Sequence, residues 1–342
     1  MTVTQLLEYQ VQPHNFSQKW RTQESGPSCP LTGSQELQVL EEIPPSLIID
    51  GYRRDLGINV TSEFQRIQRL QLCRCLDSHV IFFYPSVTGS SVFYQQMQAF
   101  NWYSPTEKFE YHRAAAWIKP GDHVLDIGCG TGQFARRIPE TCYTGLEPND
   151  TLNSREGKTG IRILSHDITT HALRNLHTYD VVSTFQVLEH LADPRTFLTS
   201  ALACLKPGGL FILGVPSAES YITGISNFVL NAPPHHVTWW TDKALVGLAH
   251  QFHLSIVEMS HAPVEQWESR LYWMHRIVRK FSPRASSHFT VSTSRRLLHI
   301  AAYVLAGYIH TRVQPPIGTC GASVVMIARK DTGHNLNSKG MW

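Results

Sequence analysis

From Val124 onward, short apolar runs rich in Val, Ile and Leu alternate with stretches whose apolar positions recur every three or four residues. The first pattern suits a buried strand, the second a helix with one buried face. The strand-like runs are VLDIG from Val124, CYTGLEP (142–148), IRILSHD (161–167), DVVSTFQVL (180–188), LFILGVP (210–216), LSIVEM (254–259) and SVVMIARK (323–330). Helices are expected in QFARRI after the first strand, from Phe197 to Leu205, and from Thr241 to His250. Lys206-Pro207-Gly208-Gly209 reads as the turn that ends the second of these helices. This alternation predicts an α/β fold with a doubly wound, mostly parallel seven-stranded sheet and a small N-terminal region. The last two strands are expected as a hairpin-like pair at one edge.

The pattern also divides the chain. Residues 1–27 read as an irregular tail, 28–103 as a small region of mixed character, 104–330 as the main domain, and 331–342 as a second tail. Ser104-Pro105-Thr106-Glu107 reads as a capping box with proline at the first helical position, opening a helix to about Ile118. An insertion at 264–316 separates the last two strands. In it Val264, Trp267, Leu271, Met274, Val278 and Phe281 form an apolar helix stripe.

Composition adds bounds. A length of 342 residues suits roughly two domains, and 42% hydrophobic residues suits a sizeable core. A net charge of +3 points to no nucleic-acid partner. Seven scattered cysteines suit reduced thiols in a cytoplasm better than a disulfide framework. The first twenty residues lack a basic segment followed by an apolar one, so no signal peptide is expected. The run from Leu297 to Ile309 is too short to cross a bilayer.

The segment VLDIGCGTGQFA carries the first chemistry. A dinucleotide fingerprint G-x-G-x-x-G would need glycine at Gln133. Here Gly128, Gly130 and Gly132 are spaced G-x-G-x-G, with Asp126 two residues before the first. That spacing resembles motif I of class I S-adenosylmethionine (AdoMet) methyltransferases, a Rossmann-like fold. The switch-point rule for such sheets places a ligand at the carboxyl ends of the first and fourth strands. The resemblance implies a glycine loop (Gly128, Cys129, Gly130, Gly132) against the methionine end of AdoMet, with Asp126 accepting from its amino group. It implies Glu147 on the ribose hydroxyls, and Asp167 with the backbone of Ile168 at the adenine. Asp167 suits equally the N-cap of a following helix.

The resemblance extends from about Pro105 to Pro216. Phe185-Gln186-Val187-Leu188-Glu189-His190 resembles the F-x-V-L-E-H signature of ubiquinone-pathway and sugar or natural-product methyltransferases, and places Gln186 near the transferred methyl. The segment from Pro233 through His235 and His236 to Thr241 resembles a lid of the same group. Trp102-Tyr103 to Lys108-Phe109-Glu110-Tyr111 resembles its leading helix, with Tyr103 against the cofactor. If the acceptor is a hydroxyl, a base must take its proton. His190, beside Glu189, leads the candidates, followed by His235 and His236; a histidine here also suits a helix cap. In small-RNA methyltransferases a related E-x-x-E-H binds a divalent cation, but Gln186 replaces the first glutamate here, so no metal is expected.

Two further features bear on function. Cys29-Pro30-Leu31-Thr32-Gly33 and Cys75-Leu76-Asp77-Ser78 resemble zinc-ribbon knuckles that have each lost a cysteine, so a degenerate, metal-free ribbon is expected. The insertion is one-signed in charge, with no acidic residue between Glu268 and Asp331. It suits a solvated helix face, recognition of a phosphate-bearing or sugar-linked acceptor, or adhesion to the inner face of an anionic membrane. The sequence thus supports AdoMet-dependent O-methylation of a sugar-like or other natural-product small molecule. The rivals are C- or N-methylation on the same fold, or a non-catalytic scaffold.

Overall fold

The computed structural model describes residues 26–103, 107–148, 161–282 and 287–332. The capping box at 104–106 lies outside the described residues.

The chain opens with β1 (Leu37–Ile43), α1 (Pro45–Leu56), β2 (Leu70–Cys75), β3 (Ile81–Tyr84) and α2 (Ser91–Gln98). Gly57, in the left-handed conformation at φ 69°, closes α1 with its N–H on the carbonyls of Arg53 and Tyr52. Next come α3 (Phe109–Ala115), β4 (His123–Ile127), β5 (Cys142–Leu146), β6 (Arg162–Leu164), α4 (Ile168–Ala172) and β7 (Tyr179–Phe185). Then follow α5 (Pro194–Cys204), β8 (Leu205–Pro216), β9 (Thr238–Trp239), α6 (Asp242–Gln251) and β10 (Leu254–Pro263). The chain ends in α7 (Ser269–Phe281), α8 (Thr293–Ile309) and β11 (Cys320–Lys330).

The main sheet has seven strands in the order β10-β11-β8-β7-β4-β5-β6. The pairs β4/β5, β4/β7, β5/β6 and β7/β8 are parallel. Antiparallel β10 and β11 form one edge, with β11 against β8. The order reverses at β4, so a crevice opens between the carboxyl ends of β4 and β7. The central strands are apolar on both faces because helices cover both. Leu125, Val182, Phe211, Leu213, Val215, Val324 and Met326 fill one side with α5 and α6.

Three local expectations need correction. QFARRI forms only a short 3₁₀ turn at Phe134–Arg136, because Pro139 follows within three residues and bars its predecessor from continuing a helix. Lys206–Gly209 is a bulge within β8 rather than a turn before it: Tyr179 pairs with Leu205 and Val181 with Leu210. In the insertion, α7 starts at Ser269, so Val264 and Trp267 precede it. The buried face is Tyr272, Met274 and Val278, while Trp267 and Phe281 lie exposed.

The second sheet is β1-β2-β3-β9. Its fourth strand comes from the lid segment, with Ile81 opposite Trp239 and Phe82 opposite Thr238. The N-terminal region is therefore built onto the main domain. Two of its turns share one hydrogen-bond pattern. Cys29 and Cys75 each accept from the N–H four residues on, at Gly33 and His79, and donate to the carbonyl five residues on, at Ser34 and Val80. Gly33 and His79 both have positive φ. The side chains meet crosswise: Cys29 Sγ lies 3.2 Å from Ser78 Oγ, and Thr32 Oγ1 lies 3.8 Å from Cys75 Sγ.

Candidate active site

The glycine loop follows β4 because each glycine takes a conformation that side chains resist. Gly128, Gly130 and Gly132 have φ of 75°, 54° and 71°. A Cβ at Gly128 would lie 2.4 Å from Val187 Cγ2, so this glycine brings the loop onto the segment after β7. A Cβ at Gly130 would meet nothing within 4 Å. Among the described residues that glycine faces open space. The N–H groups of Gly128 and Cys129 are bound to the carbonyl of Leu146, and Gly132 N–H to Cys129. Gly130 N–H donates to Glu147 Oε2 at 3.1 Å, which joins the loop to the end of β5.

Asp126 lies under the loop, buried at the end of β4. Tyr143 Oη donates to its Oδ2 at 2.7 Å and Ser183 Oγ to its Oδ1 at 2.9 Å. Burial pushes its carboxyl up to about 6, against these two hydrogen bonds and the charge of Lys108. Asp167 is the N-cap of α4. It accepts from Thr170 N–H at 2.9 Å, from Thr170 Oγ1 at 2.7 Å and from Thr169 Oγ1. Both its oxygens are engaged by its own helix, which is the cap alternative open in the sequence. Ile168 is buried behind it.

The end of β7 carries the ionisable groups. Gln186 has φ 57°. Its backbone N–H bonds Gly214, and its side chain donates to Glu110 Oε1 at 2.7 Å. A Cβ at Gly214 would lie 3.0 Å from Glu110 Cγ, so this glycine makes room for the carboxylate. Glu189 is 1% exposed. Its carboxyl lies beside its own N–H and 3.6 Å from His190 Nε2, yet neither oxygen completes a hydrogen bond among the described residues. Burial raises its pKa to about 8, partly offset by Lys108.

His190, His235 and His236 stand together, although 45 residues separate the first two. His190 Nδ1 donates to the His235 carbonyl at 2.5 Å, and His235 Nδ1 donates to the Leu230 carbonyl at 2.9 Å. A carbonyl only accepts, so both rings carry the proton on Nδ1 and present Nε2 as a lone pair. Tyr103 Oη lies 3.3 Å from His235 Nε2 and donates to it. His235 and His236 stack with centroids 4.3 Å apart. Burial lowers the pKa of His190 to about 4 and of His235 to about 3, and it holds His236 well below the ordinary value. All three are neutral at pH 7. Their ligand atoms lie within 4.8 Å of one another, the spacing at which a cation could be shared. The lid is held in place by backbone: Val237 N–H bonds the Glu189 carbonyl at 2.8 Å, and Phe83 N–H bonds Val237.

Three residues here were not singled out as site residues in the sequence. Lys108 acts electrostatically on Asp126, Glu189 and His190 alike. Glu110 holds Gln186. Tyr94, from α2, sets its ring edge-on to His190 at 5.8 Å. Only Lys108 and Glu110 had a signal, in the leading-helix run KFEY; Tyr94 comes from a distant segment.

Residues 108–259 match the family model of a methyltransferase domain. The matched segment holds the glycine loop, the end of β7 and the lid. It is similar to the ubiquinone biosynthesis O-methyltransferase of Vibrio parahaemolyticus, 37% identical over 97 residues, which are 26% of this chain and 41% of that protein. The Citrobacter koseri protein of the same name is 32% identical over 97 residues, 26% of this chain and 40% of its own. The chain thus spans about two fifths of the length of these relatives. Among solved structures, a SAM-dependent methyltransferase from Archaeoglobus fulgidus covers 70% of this chain and all of its own, at 19% identity and TM-score 0.46. Coclaurine N-methyltransferase, bound to N-methylheliamine and SAH, covers 64% of this chain and 70% of its own, at 16% identity and TM-score 0.41.

The buried Glu189 carries a testable consequence. Its folded pKa of about 8 lies above the ordinary carboxylate value, so the folded state holds a proton that the unfolded state has lost. Stability should therefore fall as pH rises from the ordinary carboxylate range to about 8, by about 1.4 kcal/mol per pH unit in that window. Glu189→Gln keeps the shape and removes the titration. Its melting temperature should exceed that of the parent at pH 8 and match it at pH 4. Equal pH dependence of the two in calorimetry would contradict a protonated Glu189.

Proposed function

We propose that the protein transfers the methyl group of AdoMet to an oxygen of a small-molecule acceptor, with His190 taking the acceptor's proton. The observation that supports this most is the neutral His190 with its Nε2 lone pair fixed beside Glu189, at the end of β7. The matched relatives, named as O-methyltransferases, also favour oxygen.

The residues fit AdoMet. The space at Gly130 and the adjacent Glu147 suit the methionine end and the ribose; the backbone N–H of Ile168, whose side chain is buried in the core, would meet the adenine. Asp126 reaches the cofactor only through its second lone pairs or water, since both oxygens already accept internally. Bound AdoMet supplies an electrophilic methyl on sulfonium. In-line displacement then makes alignment a large part of the rate. His190 Nε2 accepts the hydroxyl proton as the oxygen attacks. Once Glu189 is ionised, it stabilises the imidazolium so formed, and His235 and Tyr103 hold the acceptor side of the crevice. Incubation with AdoMet and a panel of phenol, catechol and sugar acceptors tests the reading: homocysteinyl product and a methyl ether should form together. Transfer confined to nitrogen or carbon acceptors would overturn it.

The two matched turns at Cys29 and Cys75 support a second part of this reading, a zinc ribbon whose metal has been replaced by crosswise thiol–hydroxyl contacts. Cys29→Ser should then cost less than about 2 kcal/mol in denaturant unfolding, the scale of one buried hydrogen bond. Loss of a structural zinc site would cost several times more. One zinc per chain by elemental analysis would defeat the idea.

A further inference from the structure

Helix α8 is apolar on two opposite faces. Ala302 and Ala306 pack inward against Tyr272, Met274 and Val278 of α7 and against Tyr221. On the other side Leu297, Ile300, Val304, Leu305 and Tyr308 recur at helical spacing, and all are exposed. Ile300 and Val304 are each 54% exposed, although burial would favour both. An exposed apolar helix face of this kind is suited to docking against a partner.

The charge around the face selects the partner. From Ser269 to Lys330 the sequence has ten Lys and Arg and no Asp or Glu. Arg276, Arg279 and Lys280 are exposed on α7, and Arg296 and Arg312 are exposed at the two ends of α8. A second copy docked symmetrically would set this charge against itself. No described helix is long and apolar enough to cross a membrane. An apolar helical stripe within a one-signed basic field matches a lipid surface with anionic headgroups, where the stripe enters the acyl boundary and the cations stay among the headgroups.

We infer that α7 and α8 form a docking face for an anionic membrane surface, with α8 lying in the plane of the interface. The face joins the lid through the connection between the helices. Asn227 exchanges two hydrogen bonds of 2.8 Å with Thr290, and its N–H bonds the His288 carbonyl at 2.8 Å. His288 in turn lies edge-on to Trp239, with centroids 5.0 Å apart. Docking thus sets the lid that carries His235 and His236 close to the lipid. On the reading of the site as a methyltransferase, the acceptor is an amphiphile that reaches the crevice from the bilayer; the docking face itself does not depend on that reading.

Sedimentation of the full chain with vesicles tests this. The protein should co-sediment with phosphatidylcholine vesicles containing about 30% phosphatidylglycerol and not with phosphatidylcholine alone. Ile300→Glu with Val304→Glu, on the exposed face, should lower the bound fraction more than about tenfold. Reversal of Arg276, Arg279 and Lys280 to glutamate should do the same, and added salt should mimic the reversal. Both variants should bind AdoMet like the parent, which shows that they fold. The inference is overturned if the parent ignores anionic vesicles, or if Ile300→Glu with Val304→Glu leaves vesicle binding intact. It is overturned also if those substitutions turn a stable dimer into a monomer, since the face would then belong to a second copy.

Discussion

His190→Ala should lower the rate of methyl transfer by about 10²- to 10⁴-fold, the range over which a positioned base acts, while AdoMet affinity stays near that of the parent. Affinity should be spared because the ring is held by the lid, through Nδ1 on the His235 carbonyl, and makes no hydrogen bond to the glycine loop among the described residues. The pH profile separates a base from a structural cap. His190 titrates near 4, so it is already deprotonated at neutral pH and adds no inflection there. Glu189 titrates near 8, and its ionised form stabilises the imidazolium. Activity should therefore rise as pH passes through about 8, and Glu189→Gln should flatten that rise. His190→Gln keeps a hydrogen bond to the lid without basicity. If it restores full rate, His190 is a cap, and the acceptor loses its proton by another route.

The second large effect is expected at the glycine loop. Gly130→Val should weaken AdoMet binding by about 10- to 100-fold in calorimetric titration, the effect of about 1–3 kcal/mol of overpacking. The side chain would enter space that no described protein atom claims, so the crowding falls on the ligand. Folding should suffer only by the strain of a side chain at φ 54°, about 1–2 kcal/mol. Gly128→Ala makes the contrast. Its Cβ would meet Val187 at 2.4 Å, so it should lower the melting temperature as well as affinity. Equal affinity of parent and Gly130→Val for AdoMet would move the cofactor away from this loop.

The sequence by itself determined the strand succession, the glycine loop and the acidic positions after β5 and β6, because each is local. A period of two or of 3.6 is written within a few residues, and a G-x-G-x-G spacing needs no distant partner. Its local misreadings arose where competing local effects were close, as in QFARRI cut short by Pro139 and in the bulge that carries β8 through Lys206–Gly209. Only the tertiary structure decided the geometry of the candidate site. The tautomers of His190 and His235 follow from carbonyls brought to them by the lid. The pKa of Glu189 follows from burial under elements far apart in the chain, and the hydrogen bonds of Asp167 from the helix it caps. The fourth strand of the N-terminal sheet and the exposed outer face of α8 were likewise decided by packing. Periodicity shows that a helix has an apolar side, but which side meets protein depends on the neighbours that folding supplies.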